Sequence, residues 1–290
     1  MEFFGLLIAS GLVSGAAYGM IAMGFAVIYK ATGVVNFAQG ELVMLTAYIA
    51  FSIASSLNLQ FFALMSVTIP TAMLIGLLLE RIFIRPMLGE PPFAIVMVTI
   101  GLAVILRGTT IMIWGPDPFD FPIGLPRAPI KIGPLPFYPA QLVAIAALGV
   151  LVAGSYAFLR FSRYGIAMRA VAANEKAAML MGIAVSRIHG MAWMLSSAIA
   201  AVAGVLFAAN FKLGPDLWFQ GLKSFPAVIL GGLDSIVGAA LGGLLIGIIE
   251  NLAQGYLGQG LREVAGFAVI VIILMVRPYG LFGEREIERV

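Results

Sequence analysis

The sequence predicts an all-α polytopic membrane protein: about eight transmembrane helices, a short half-helix and a cytoplasmic coupling helix, in one transmembrane domain over 1–290. Three observations lead there. Of 290 residues, 61% are hydrophobic and 11% charged, whereas a soluble domain has about 25% charged and 45–50% apolar residues. The 17 basic and 14 acidic residues are too few to cover a water-exposed surface. They also collect in short stretches between long uncharged runs. This composition excludes a soluble enzyme, a disordered chain and a nucleic-acid binder. The pI near 9.3 does not change that, because the net charge is only +3. With no cysteine, disulfide frameworks and Cys-ligated metal sites are excluded as well.

A bilayer core about 30 Å thick takes roughly 20 mostly apolar residues per helix. Residues 3–29 carry no charge, follow Glu2 rather than a basic start, and read as a retained span. Residues 42–79 are long enough for two helices, with Asn58-Leu59-Gln60 as the turn between them. Residues 93–114 follow, interrupted by Arg107, then 138–159, then 188–211. Residues 225–233 are too short to cross and form the half-helix, 235–256 hold Glu250 near their end, and 264–276 make a short final span.

Basic residues favour the cytoplasmic side. With the N-terminus outside and the C-terminus inside, the inner segments hold Lys30, Arg81, Arg85, Arg160, Arg163, Arg169, Lys176, Arg187, Arg277, Arg285 and Arg289. The outer side keeps Arg107, Arg127, Lys131, Lys212, Lys223 and Arg262. This orientation requires 225–233 to count as a crossing; a re-entrant segment would move the tail to the other side. The outer segment 115–139 contains Pro116, Pro118, Pro122, Pro126, Pro129, Pro134, Pro136 and Pro139, so a stiff irregular connection rather than a helix is expected.

Gly11, Gly15 and Gly19 recur every four residues on the first span, as do Gly238 with Gly242 and Gly243 with Gly247 later. Such stripes let helices pack closely where lipid offers no hydrophobic drive, or let them slide in a transport cycle. The sole histidine, His189, reads as an interfacial side chain at the start of a span. No nucleophile–base motif surrounds it, so an intramembrane hydrolase is not expected. No P-loop is present, since none of the five lysines follows a glycine. Energy from ATP must therefore come from a partner. Glu41 and Glu250 are the best intramembrane charges, with Arg107 and Asp234 nearer the predicted ends. Both glutamates sit near segment ends, which suits end-capping or snorkelling and argues against ion coupling.

The segment 160–187 has five basic residues and one acid and belongs in the cytoplasm. Its middle, 166–181, is Ala-rich and free of Pro and Gly, with Gly165 before it and Gly182 after it. A short helix is expected there, with a small-residue surface open to another protein's groove or lying on the membrane.

Four stretches together resemble the inner-membrane permease subunits of branched-chain amino acid ABC importers, the LivH type. They are 33–42 (GVVNFAQGEL), 114–118 (WGPDP), the segment 163–182, and 227–251 (AVILGGLDSIVGAALGGLLIGIIEN) with the ending 277–283 (RPYGLFG). In the third, Glu175, Ala177, Ala178 and Gly182 are similar to the coupling motif of ABC permeases, and the resemblance implies that Arg169, Glu175 and Lys176 orient docking.

The resemblance implies a transport subunit with no ATPase and no cofactor of its own, ATP and Mg being held by partner subunits. It implies a second related permease, as a heterodimer in preference to a homodimer, two ATP-binding subunits, and a periplasmic substrate-binding protein. The location implied is the bacterial inner membrane, with branched-chain amino acids or related small solutes as cargo. Ser14, Asn36, Gln39, Glu41, Thr46, Thr99 and Ser197 are the polar groups expected along a mostly apolar path, each with helix–helix hydrogen bonding as its alternative role. The competing function is a self-sufficient ion-coupled secondary transporter.

Overall fold

The structure is a computed structural model that describes residues 2–57, 59–121, 124–126, 128–132, 135–258 and 260–283. Asn58 of the expected turn, and Pro122, Arg127, Pro134, Arg285 and Arg289, lie outside the described residues. The long helices are α1 (Glu2–Thr32), α2 (Gln39–Leu57), α3 (Phe61–Leu79), α4 (Pro92–Trp114), α5 (Pro139–Phe161), α8 (Val185–Asn210) and α11 (Ile236–Leu257). Among the described residues these seven are long and apolar enough to cross a membrane. The last helix, α12 (Leu261–Val276), has 16 residues, about 24 Å at 1.5 Å per residue, and falls short of that length.

Helices α1 and α8 form the centre. In each, 72% of the most apolar window is buried, against 17% for α5, which therefore faces outward. The α1 stripe explains its place. A Cβ on Gly15 would stand 2.8 Å from the Gly243 carbonyl oxygen, and one on Gly247 would stand 2.3 Å from Gly15 Cα. The Gly11–Gly15–Gly19 stripe and the Gly243–Gly247 pair thus face each other in one antiparallel α1–α11 seam, backbone against backbone, while Gly238 and Gly242 on α11 pack against α10 (Phe225–Gly231).

The half-helix is part of a broken crossing. After Phe119 and Leu213 pair through hydrogen bonds of 2.7 and 3.1 Å, the chain makes a tight turn at Pro215–Trp218, then α9 (Phe219–Lys223) and α10 (Phe225–Gly231). Pro226, which lacks an amide hydrogen, stands at the start of α10 and helps keep the two pieces from joining. Beyond α10, Lys30 Nζ at the end of α1 donates to the Asp234 carbonyl at 2.9 Å. The segment therefore runs the full depth of the bundle. The chain's first helix begins at one end, while 277–283 pack at the other: Leu281 N–H donates to Leu230 O at 2.8 Å and Phe282 N–H to Gly231 O at 3.1 Å.

Two expectations need correction. The stretch 166–181 is not one helix but two, α6 (Arg163–Ala173) and α7 (Glu175–Leu180). Asn174 is extended and its Oδ1 accepts from Ala177 N–H at 2.9 Å, an N-cap that starts a second helix. Within 115–139, which has no helix among its described residues before α5 begins at Pro139, a small hairpin pairs β1 (Ile130–Ile132) with β2 (Leu135–Phe137).

A candidate solute path and coupling surface

After α1 the chain turns at Gly33, with φ of 66°, and re-enters the bundle before α2 begins. The start of α2 consequently lies beside Gly24, inside the bundle and about two turns from the end of α1. A Cβ on Gly24 would stand 2.0 Å from Gln39 Nε2, so only glycine leaves room for that side chain. Gln39 Oε1 lies 2.9 Å from the Ser196 hydroxyl, which is 3.0 Å from the Gly24 carbonyl. Asn36 Oδ1 accepts from Ala38 N–H at 3.0 Å and its Nδ2 approaches Gln39 Oε1 at 3.5 Å. Thr99 on α4 accepts from Phe37 N–H at 3.3 Å and fixes the loop from the other side.

Below this loop is a cavity of about 300 Å³. Asn36, Thr99 and Trp193 form its buried end, and Gly89, Glu90 and Glu175 its exposed rim. Ile28, Val34, Ile84, Leu88 and Ile95 supply apolar wall. Glu175 is the first residue of α7, so the rim includes part of the exposed segment for which the sequence suggests a coupling role. His189 also lines the cavity and is only 5% exposed, not an interfacial side chain at the surface. It packs beside the Ala31 carbonyl, and neither ring nitrogen makes a hydrogen bond of ordinary geometry.

The buried charges are paired, not placed at exposed helix ends. Arg107 Nη2 donates to Glu41 Oε1, and the guanidinium lies 3.4 Å from the centre of the Trp218 ring. This joins α2, α4 and the broken crossing; stacking on an indole stabilises a cation that lipid would not. Gly40 and Gly221 permit the approach, since a Cβ on Gly40 would meet the Trp218 carbonyl at 2.2 Å. Glu250 accepts from Tyr18 Oη at 3.0 Å and from Arg262 Nε at 3.3 Å.

Of the seven residues expected along the path, Asn36 and Thr99 reach the cavity, Gln39 stands next to Asn36, and Glu41 is engaged by Arg107 away from the cavity lining. Ser14 lines a separate cavity of about 110 Å³ towards the other end, with Lys223 and Arg262. Thr46 donates to its own helix at Leu42 O, 2.7 Å away, and Ser197 packs against Gly76 of α3. Trp193 and Ser196 do not stand out in the sequence, and His189 stands out there only as an interfacial side chain. Their i, i+4, i+7 spacing, a single helix face, is the signal that could have found them.

At the same end of the molecule Arg169, Glu175, Lys176, Ala177 and Gly182 are exposed, while Ala178 is buried. Next to them Met179, Leu180 and Met181 are exposed, Leu180 by 89%. Apolar side chains clustered on a basic segment mark an interaction surface.

Broken helices and irregular backbone at membrane depth are tolerated only where they are buried in protein or line a cavity, and the re-entrant loop at Asn36 fits that rule in a multi-pass membrane transport subunit. Residues 7–276 match the family described as "Branched-chain amino acid transport system / permease component", and the chain belongs to that family. It is 31% identical to LivH of Escherichia coli (strain K12), a high-affinity branched-chain amino acid transport system permease protein, over 97% of this chain and 96% of that one. It is 30% identical to BraD of Pseudomonas aeruginosa, of the same description, over 98% and 97% respectively. A probable LivH permease from Methanocaldococcus jannaschii is 28% identical over 91% of this chain and 88% of that protein.

Proposed function

We propose that this chain is the permease subunit of an ATP-binding-cassette importer, moving branched-chain amino acids or related small solutes across a bacterial inner membrane. The observation that carries the reading is full-length similarity to permeases of that description. A mostly apolar cavity ending on Asn36 and Thr99 supports it, because a solute selected by a periplasmic binding protein needs only a weak site on its way through. Two ATP-binding subunits, holding ATP and Mg, dock on α6 and α7, where Arg169, Glu175 and Lys176 orient them and Ala177 and Gly182 allow close approach; Ala178, expected to share that role, is buried and packs inward instead. A second, related permease completes the pore, as a heterodimer in preference to a homodimer. The basic end with α6 and α7 faces the cytoplasm, the Pro-rich 115–139 segment faces outside, and the N-terminus is outside with the C-terminus inside.

Glu175 belongs both to the docking segment and to the cavity rim. Movement of α7 by the ATPases is thereby transmitted to the mouth of the path, a two-state element biased by ligand at each end. An ion-coupled carrier would need a carboxylate free to take up a proton or cation, and Glu41 and Glu250 are engaged by Arg107 and Arg262.

Because the chain has no cysteine, a single Lys176→Cys substitution reports orientation cleanly. A membrane-impermeant maleimide should label it only from the cytoplasmic face, and Glu175→Arg with Lys176→Glu should abolish ATPase association. Asn36→Ala and Gln39→Ala should lower transport with assembly intact. Labelling from outside, or transport with no ATPase present, overturns the reading.

A further inference from the structure

The corner between α5 and α6 carries positive charge that neither helix neutralises. Between Asp120 and Glu175 the sequence has no Asp or Glu, and the basic residues of the two helices are Arg160, Arg163 and Arg169. Arg160 and Arg163 are exposed, and among the described residues neither belongs to an ion pair. The turn between them is tightly built. A Cβ on Gly165 would stand 2.4 Å from the Phe158 carbonyl oxygen, so only glycine lets α6 fold back onto α5, and Ser162 Oγ accepts from Gly165 N–H at 2.8 Å. Arg160 Nη1 donates to the Tyr156 hydroxyl, and its guanidinium lies 5.7 Å from the centres of both the Tyr156 and Phe161 rings. Both rings are exposed. Such contacts hold a cation in place but leave its charge without a counter-ion. The corner ends the least buried of the seven candidate spans. From it a track of small exposed residues, Ala157, Gly154, Ala153 and Gly149, runs along α5, and a Cβ on either glycine would meet nothing within 4 Å.

We propose that the α5–α6 corner binds an anionic phospholipid of the adjoining leaflet, its phosphodiester held by Arg160 and Arg163 and one acyl chain lying on the small-residue track of α5. Charge and depth select this occupant. Aromatic side chains at the end of a span sit at headgroup level, and there the planar guanidinium fork matches a phosphate. A zwitterionic headgroup brings its own ammonium, which two arginines repel; an anionic one does not. The surroundings keep the field positive. At the same end α1 and α8, which also pack against α6, carry Lys30 and Arg187, and α7 adds Glu175 together with Lys176. The site needs only that the chain lies in a bilayer and does not rest on the importer reading. A bound lipid ties the start of α6 to the membrane, and with it the exposed segment that continues into α7.

The test uses the full chain, with the subunits that copurify with it, in nanodiscs of phosphatidylcholine and phosphatidylglycerol. Phe161→Trp puts a reporter beside Arg160 and keeps an aromatic ring there; subtracting the emission of the unchanged protein isolates its signal. Brominated phosphatidylglycerol should quench it at a mole fraction at least about fivefold lower than brominated phosphatidylcholine requires. Adding Arg160→Gln and Arg163→Gln should remove that preference while quenching by phosphatidylcholine persists. Arg81→Gln, which removes another exposed arginine at the same end, should leave it intact. Inorganic phosphate at about 10 mM should not compete, since the ligand is held by its acyl chain as well. Equal quenching by the two lipids refutes the site, as does quenching by neither, which would mean that a partner subunit covers the corner. A preference that survives loss of both arginines, or falls as much with Arg81→Gln, reports only general surface charge and also refutes it, and competition by phosphate would assign the corner to a soluble anion instead.

Discussion

Replacing Gly243 by alanine tests the seam on which the bundle is built. A Cβ at this position would lie 2.2 Å from both Cα and N of Gly19 and 3.0 Å from the Gly15 carbonyl. Backbone atoms cannot swing aside as a side-chain tip can, so α1 and α11 must separate. Ordinary contact begins near 3.4 Å, which makes the shortfall about 1.2 Å. A gap approaching 1 Å forfeits a quarter to a half of each dispersion contact along the seam, and overpacking of this kind costs about 1–3 kcal/mol. At the upper half of that range the melting midpoint in detergent should fall by about 4–10 °C. Gly101→Ala on α4 is the control: a Cβ there meets nothing within 4 Å, and the change should be neutral or stabilising by up to about 1 kcal/mol. Thermal unfolding followed by tryptophan fluorescence distinguishes the two. A Gly243→Ala protein that melts with the wild type would refute the backbone-to-backbone seam.

Three further outcomes follow from the polar contacts. Glu41→Gln should leave Arg107 inadequately compensated and destabilise the protein, by less than the roughly 3–5 kcal/mol of a fully buried pair because Arg107 is 32% exposed; pairing it with Arg107→Met should recover part of the loss in a double-mutant cycle. Tyr18→Phe removes the hydrogen bond to Glu250 and should cost about 1–3 kcal/mol in denaturant unfolding, with no loss expected if Arg262 alone satisfies the carboxylate. Gly280→Val places a branched side chain at a φ of 77°, with its Cβ 2.6 Å from Gly232 N; hydrogen exchange should then speed up in 228–235, and unchanged protection there would show that the 277–283 segment does not brace α10.

Much of the architecture was legible because a bilayer imposes its own length scale. Apolar runs of about 20 residues had to be helices, and the runs at 3–29, 93–114 and 188–211 became α1, α4 and α8 with shifts of a few residues at their ends. The facing glycine stripes were visible, as was the helical, exposed character of 163–182, although the cap at Asn174 that divides it was missed. The broken crossing was only half seen: α10 stood out as an apolar run, but Pro215–Trp218 and α9 complete the traverse with polar and short pieces that no hydropathy pattern joins together.

The depth of the functional groups was a different matter. Glu41 precedes an uncharged run and so looks terminal, yet the chain folds back after Gly33 and carries it to mid-bundle, where Arg107 and Trp218 receive it. His189 likewise reads as the start of a span, but the ends of α1 and α3 close over it and make it part of a cavity wall. The amino-acid sequence alone determined which segments enter the membrane, which end is basic, and that no ATPase motif is present, since these depend on each segment's own composition. The tertiary structure decided which polar groups meet and how deep they lie, because pairing and depth depend on how one segment packs against others distant in the chain.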